Sequence, residues 1–354
     1  MSQLLIKPYN QQLKIPYRWS KGVQYVRRGL LIKATIDGHV GWGEAALPPH
    51  VNFQGWSFAA HCDALLDGLS IDDPDFLNEL VLREISPRLR CGISSAIFSA
   101  KAAQCGQNLA KFICEPNVTP LKQVPVNDLI TAESPEECVA QAKAAVERGQ
   151  NIIKLKCTEA RELDIRRVRA IREALPDIKL RLDPNESWPV EWALEQIKAM
   201  EPFDIDYIEE PLPRGTDLAI YAQISRKTSI PIALDDSIRT YFHAQRALEL
   251  KAAKVWILKP PRVGGIDITY DIIKLAAEGG VRCVITASLE TAVGLYVGLH
   301  AGALLGQAVE ACGLGTARFF SNDVATPPPI VDGYMTVPDE NGLGVDPSDW
   351  WEHN

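Results

Sequence analysis

Five short apolar runs recur at a nearly constant interval between residues 152 and 259, and each closes on a charged residue. They are Ile152-Ile153-Lys154-Leu155-Lys156, Ile178-Lys179-Leu180-Arg181-Leu182-Asp183, Ile205-Asp206-Tyr207-Ile208-Glu209, Ile230-Pro231-Ile232-Ala233-Leu234-Asp235 and Val255-Trp256-Ile257-Leu258-Lys259. Their terminal charges stand 27, 26, 26 and 24 residues apart, the length of one strand plus one crossover helix. Between the runs the apolar positions take a helical spacing, as in Leu163, Val168, Ile171 and Leu175, or Trp192, Leu194, Ile197 and Met200. Such alternation predicts an α/β fold whose parallel sheet closes into a (β/α)8-type barrel. In that architecture the residue ending each strand points into a site at the C-terminal face.

Three consecutive strands then converge Asp183, Glu209 and Asp235, with Lys156 and Lys259 on the flanking strands. Three carboxylates in one pocket repel one another unless a cation neutralises them, and an all-oxygen set suits Mg²⁺ or Mn²⁺ rather than zinc. A lysine on either side of that cation is the arrangement that removes a proton α to a carboxylate, with an ammonium of lowered pKa supplying the base. Taken singly, an Asp or Glu at a strand end is more often a helix cap or an ion-pair partner. Five such ends in phase with the barrel period favour a site.

The same ends carry motifs. Lys154-Leu155-Lys156 resembles the KxK motif, Asp183-Pro184-Asn185 the DxN motif, Glu209-Glu210-Pro211 the EEP motif, Asp235-Asp236-Ser237 the DE/DD-S motif and Ile257-Leu258-Lys259-Pro260 the IKP motif of the enolase superfamily, and more closely of its muconate-lactonising-enzyme subgroup. The resemblance implies a modified (β/α)7β barrel with an α+β capping domain. It implies Asp183, Glu209 and Asp235 as ligands of Mg²⁺, with Mn²⁺ as a substitute, and Lys156 and Lys259 as the catalytic lysines. Lys154, Asn185, Glu210 and Asp236 are then groups that orient the ligands and lysines. Two departures stand out: Asp236 where the family often has Glu, and Ser94-Ser95-Ala96-Ile97 where many relatives carry an acidic pair.

Outside the periodic stretch, residues 1–120 lack the βα rhythm. Leu4 to Tyr9, Tyr25 to Ile36 and His39 to Glu44 read as a meander with Asp37-Gly38 as a hairpin turn. Helices are expected at about 55–68, 73–83 and 92–104. Gly41-Trp42-Gly43-Glu44 reads as a strand end whose glycines allow a tight approach, with Glu44 as a cap, and Tyr17 to Tyr25 as a mobile loop carrying Arg18, Trp19, Lys21 and Gln24 that could close over substrate. The barrel is assigned to residues 121–324: Val124-Pro125-Val126-Asn127 begins its first strand, Val281 to Thr286 forms a seventh and Val309-Glu310-Ala311-Cys312 an eighth. Residues from about 325 to 354 return to the capping domain, where Trp350 and Trp351 are expected to pack.

The chain has 354 residues, 46% of them apolar, enough for one barrel of ~250 residues plus a smaller domain. A net charge of −8 argues against a nucleic-acid or anionic-membrane partner. No basic leader and no apolar run of ~18 residues is present, so a cytoplasmic location is expected. The eight cysteines form no CxxC pair and read as reduced, mostly buried thiols. Oligomeric state stays open.

Arg27 to Ile32, Gly41 to Ala45 and Leu47-Pro48-Pro49 together are similar to the capping segment of o-succinylbenzoate synthases. That resemblance implies dehydration of 2-succinyl-6-hydroxy-2,4-cyclohexadiene-1-carboxylate, a small dicarboxylate, in menaquinone or phylloquinone biosynthesis. Lys156 would remove the α-proton and return it to the leaving hydroxyl, while Lys259 stays cationic over the ring. Ser288 and Leu289, at the start of the helix after the seventh strand, would bind the second carboxylate through backbone N–H groups. The alternatives are an N-acylamino acid racemase or a dipeptide epimerase, then a muconate cycloisomerase and a non-catalytic barrel. Dipeptide epimerases carry an Asp-x-Asp where this chain reads Gly313-Leu314-Gly315.

Overall fold

The computed structural model describes residues 2–19, 22–158 and 160–354. The N-terminal meander forms as β1 (Gln3–Trp19), β2 (Gly22–Ile36) and β3 (His39–Ala46), antiparallel in that order. Asp37 and Gly38 turn between β2 and β3 with φ of 48° and 83°, the positive pair that a type I′ hairpin requires. Three helices follow, α1 (Trp56–Leu65), α2 (Phe76–Leu82) and α3 (Pro87–Gln104). The last starts earlier than position 92 because the Ser86 hydroxyl accepts from Leu89 N at 3.3 Å and Pro87 suits the first turn.

Each face of this sheet is buried. Leu30, Ile32 and Ala34 pack with Ile93, Ala96 and Ile97 of α3, whereas Tyr9, Leu31 and Trp42 join the core of the barrel. A Cβ at Gly41 would lie 2.1 Å from Ala96 O and one at Gly43 1.9 Å from Gly92 O, so only glycine lets β3 lie this close to α3. The cap is tied to the barrel by Arg90, which donates to Gly264 O at 2.7 Å and pairs with Asp267 at 2.8 Å. Ser94 and Ser95 are buried in α3.

The expected loop at Tyr17 to Tyr25 is instead a hairpin: β1 runs to Trp19 and Tyr17 stands opposite Gln24. A register shift between Gln12 and Tyr17 separates this outer part from the rest. Ser20 and Lys21, with the side chains of Arg18 and Trp19, lie outside the described residues.

After α4 (Leu109–Ile113), residues 123–125 form β4, but not as the first barrel strand. β4 pairs antiparallel with Tyr334–Thr336 of the C-terminal segment, itself paired with Ile330–Val331. Pro125 lacks the N–H that a central ladder needs, and the first barrel strand is β5 (Asp128–Ile130). The alternation then continues as α5 (Pro135–Glu147), β6 (Ile152–Lys156), α6 (Arg161–Ala174), β7 (Lys179–Asp183), α7 (Val190–Met200), β8 (Ile205–Glu209), α8 (Leu218–Ser225) and β9 (Ile232–Leu234). It closes with α9 (Tyr241–Leu250), β10 (Val255–Leu258), α10 (Pro260–Val263), α11 (Ile266–Glu278), β11 (Arg282–Ile285) and α12 (Ala292–Ala303). Strands β5 to β11 form one parallel sheet in sequence order. Its edges meet across Cys312 and Gly313: Asn127 N donates to Cys312 O (3.0 Å) and Gly313 N to Ile285 O (2.9 Å). The eighth strand is thus reduced to two bridging residues, and the barrel has the (β/α)7β form with an α+β cap.

Trp351 returns to the cap and meets Trp42 edge to face at 5.2 Å. All eight cysteines are free thiols, and only Cys105 is exposed. No helix among the described residues is long and apolar enough to cross a membrane.

Candidate active site

Side chains on a strand alternate between faces, which decides what enters the barrel. Tyr207, Ala233, Val255, Ile257 and Val284 form the apolar cluster in its interior. Two residues on, the same parity carries Glu209, Asp235 and Lys259 inward at the C-terminal end. Lys154, Lys156 and Asp183 meet them there, so the five predicted strand ends do converge.

Their contacts form a connected set, Lys156–Asp183–Lys154–Glu209, and a separate pair, Lys259–Asp235. Lys154 Nζ donates to both oxygens of Glu209 (2.8 and 2.9 Å) and lies 2.8 Å from Asp183 Oδ2. Lys156 Nζ donates to Asp183 Oδ2 and to Asn185 Oδ1, each at 2.6 Å. Lys259 Nζ donates to Asp235 Oδ2. The carboxylates are 0%, 1% and 5% exposed for Asp183, Glu209 and Asp235, so water does not compensate them.

Electrostatics follow from that burial. Desolvation raises the pKa of Glu209, and the charge of Asp183 pushes it further, with Lys154 pulling the other way. Burial also acts upward on Asp183, but Lys154 and Lys156 outweigh it and hold Asp183 well below the usual range. For Lys259, burial lowers the pKa, yet Asp235 and Glu209 outweigh it and keep the group above the ordinary lysine value. The neighbouring carboxylates thus keep the proton on Lys259, the lysine expected to stay cationic.

The donor set suits a hard dication by its chemistry: three buried carboxylates, all oxygen, with Asp235 Oδ1 buried and without a partner. In the present conformation the lysines complete the pairing, and among the described residues no three acidic, histidine or cysteine groups converge on one point. Asp183, Glu209 and Asp235 could hold Mg²⁺ once Lys154 yields the position between the first two.

The remaining strand-end residues separate by what they touch. Asn185 accepts from Lys156 and, at φ 51°, donates its own N–H to Asp183 Oδ1 at 3.0 Å. Among the described residues Glu210 meets no lysine. Its carboxylate accepts from Tyr221 OH and Ser237 Oγ (2.6 Å each), Ser237 N (3.1 Å) and Asp235 N (2.7 Å), fixing the turn that carries Asp235. Asp236 faces Arg262 and Arg214 instead of a lysine.

Beyond β11 the structure differs from the expectation. The free N-terminus of α12 that was to receive a substrate carboxylate is already capped by the protein. Glu44 of the cap accepts from Thr291 N (3.1 Å), Thr291 Oγ1 (2.6 Å) and Gly294 N (2.9 Å), while Asp323 accepts from Ala292 N (3.0 Å). Burial and the nearby Glu290 push Glu44 up to about 7. Ser288 N is bonded to Glu290, and Leu289, at φ 68°, packs among Phe319, Phe320, Leu13 and Tyr17. From this stretch the cavity over the lysines is lined by Thr286 and Ala287, and across it by Gly313, Gly315 and Thr316. Tyr17 and Phe319, edge to face at 5.3 Å, form its outer wall. Sequence reasoning missed Thr286, Thr316 and Phe319, although Thr286 follows a barrel strand just as Lys259 does.

A family model described as "Enolase C-terminal domain-like" matches residues 137–351. The chain belongs to the enolase superfamily. It is 34% identical over 328 residues to the o-succinylbenzoate synthase of Mycobacterium tuberculosis, covering 90% of this chain and 85% of that one. It is 35% identical over 219 residues to the synthase of Thermobifida fusca, a match spanning 60% of this chain and 66% of the relative. A D-Ala-D/L-Ala epimerase of Cytophaga hutchinsonii is 28% identical over 94% of this chain and 92% of its own. Among solved structures, the L-Ala-D/L-Glu epimerase of Bacillus subtilis superposes with a TM-score of 0.87 at 23% identity, covering 97% and 98% of the two chains. A Cytophaga hutchinsonii dipeptide epimerase complexed with Mg and a dipeptide gives 0.86 at 24%, covering 97% and 95%. These likenesses speak for the fold.

Proposed function

We propose that this enzyme is an o-succinylbenzoate synthase that dehydrates 2-succinyl-6-hydroxy-2,4-cyclohexadiene-1-carboxylate. The observation that carries the reading is the charge of the cavity. Its charged lining residues are Lys154, Lys156 and Lys259, and the wall formed by Gly313, Gly315 and Thr316 bears no acid. A substrate with a second anionic arm is favoured there, and one with a free amine lacks a counter-ion. The identities of 34% and 35% to two synthases, against 28% to an epimerase, point the same way.

In this reading Asp183, Glu209 and Asp235 hold Mg²⁺, the metal in the dipeptide epimerase neighbour. When bound, the ion supplies positive charge that offsets the three carboxylates and attracts the substrate carboxylate as negative charge builds on it. Lys156, as the neutral amine, takes the α-proton; Asn185 and Asp183 hold its Nζ in place. The C–H electron pair moves into the conjugated ring system. Lys156, now ammonium, gives its proton to the hydroxyl on the same face, the C–O bond breaks, and water leaves as the ring becomes aromatic. Lys259, held cationic beside Asp235, stabilises the developing charge from the other side.

A second reading, racemisation of N-acylated amino acids, has its own support in the presence of both lysines in one cavity. The deciding experiment is turnover with Mg²⁺ of the cyclohexadiene carboxylate, followed as formation of the aromatic product. Dehydration is expected. Solvent-deuterium exchange into both enantiomers of an N-succinylamino acid without any dehydration would replace the synthase reading with the racemase.

A further inference from the structure

We infer that the hydroxyls of Thr286 and Thr316 bind the terminal carboxylate of the substrate's acyl arm; this rests on the synthase reading and identifies where the arm goes. Three observations lead there. The helix end that would ordinarily receive such a group is filled by Glu44 and Asp323. Thr286 Oγ1 and Thr316 Oγ1 are both buried and lack any hydrogen-bond partner, although both residues line the cavity that holds Lys156 and Lys259. Ser187 Oγ and Ser288 Oγ are also buried without a partner, but neither residue lines that cavity, while the hydroxyls of Thr291 and Ser237 are engaged with Glu44 and Glu210 at 2.6 Å each.

The fold brings the end of β11, with Thr286, beside the loop that carries Thr316. Thr286 leaves β11 and forms a bridge with Gly313, three residues before Thr316. A Cβ at Gly313 would lie 2.9 Å from Thr286 Cγ2, so a larger residue there would displace the Thr286 side chain. A buried donor without an acceptor is unfavourable, so a pair of them on residues that line one cavity calls for an oxygen-rich ligand. The lysines of the same cavity select an anionic arm over an ammonium. Hydroxyl donors also leave the acyl chain free of a second tight ion pair, so product can depart.

Thr286→Val and Thr316→Val keep the shape and remove the hydroxyl; Thr286→Ser and Thr316→Ser keep the hydroxyl. With Mg²⁺ present, each Val variant should raise KM and weaken o-succinylbenzoate binding by calorimetry about ten-fold, the change expected for one lost hydrogen bond to a charged group. Changes in kcat should stay within about three-fold and the Ser variants within about two-fold of wild type, since neither touches the reacting carbons. Replacing the terminal carboxylate of the ligand by its methyl ester should abolish the difference between wild type and the Val variants. Equal product binding in wild type and both Val variants overturns the inference, whether or not the enzyme dehydrates. Val-sensitive binding in a wild type that does not dehydrate would instead remove the synthase reading and leave the arm site standing.

Discussion

Two clusters of buried charge occupy the barrel interior, one at each end, and they differ in completeness. At the N-terminal end Arg181 is fully buried, and each guanidinium nitrogen has a partner. Nε donates to Asp206 (2.8 Å), Nη1 to Ala311 O (2.6 Å) and Nη2 to Glu310 (2.9 Å), while the group stacks on Tyr207 at 4.7 Å. Arg282 completes the set by pairing with both acids at 2.9 and 3.2 Å. Two residues further along β7, about 6.6 Å by the rise of a strand, Asp183 opens the other cluster. There Asp235 Oδ1, Thr286 Oγ1 and Thr316 Oγ1 have no partner. Both clusters are made of the same chemistry on the same strands. A closed network holds strands together; an open one retains valences for a cation and a substrate, which is how a single barrel can be rigid at one end and reactive at the other.

The sharpest way to break this contrast is at Lys156. Lys156→Ala should lower kcat by roughly 10³-fold or more, the scale of a lost general acid–base group, while thermal unfolding moves little. Retention of a tenth of the activity would place the chemistry elsewhere. The converse variant, Arg181→Met, should cost about 3–4 kcal/mol of stability by denaturant titration, because it removes the fully buried partner of Asp206 and Glu310 and leaves them only the partly exposed Arg282. Its kcat per folded molecule should stay within about two-fold. An activity loss without a stability loss would erase the distinction between the two ends.

Smaller effects sharpen it. His300 of α12 is buried, accepts from Ala110 N at 3.2 Å through Nδ1 and donates Nε2–H to Leu343 O at 3.0 Å, and burial lowers its pKa to about 4. The unfolded chain, with an ordinary histidine near 6.5, takes up the proton first, so folding stability falls as pH drops from about 6.5 to about 4. The loss is on the order of 3 kcal/mol. His300→Asn should flatten that part of the pH–stability curve; an unchanged slope would show that His300 is not the group responsible. Last, Mg²⁺ at a hundred times its Kd should raise the unfolding free energy by about 2.7 kcal/mol. The rise should disappear in Asp235→Asn, and excess EDTA should remove turnover. Full activity in chelator would mean that the lysines alone complete the open end.

Much of the site was legible because strand parity is one-dimensional information. Once the runs ending at Lys156, Asp183, Glu209, Asp235 and Lys259 are strands of one barrel, all five side chains must enter the same end. The tight Gly41/Gly43 approach and the capping role of Glu44 were likewise readable from local chemistry. What Glu44 caps was not: its partner, Thr291, lies 247 residues away. Together with Asp323, Glu44 occupies the N–H groups of Thr291, Ala292 and Gly294 at the start of α12.

The same divide runs through the whole protein. The sequence by itself determined the element order, the barrel, the cap and the five charged ends, since these follow from periodicity and turn chemistry along the chain. Only the tertiary structure decided that β4 pairs with the C-terminal segment, that Tyr17 belongs to a hairpin, that Glu210 holds the turn around Asp235 while Asp236 meets arginines rather than a lysine, and which hydroxyls are left without partners. Those outcomes depend on which distant groups reach a buried donor or acceptor first. Local pattern carries no record of that competition.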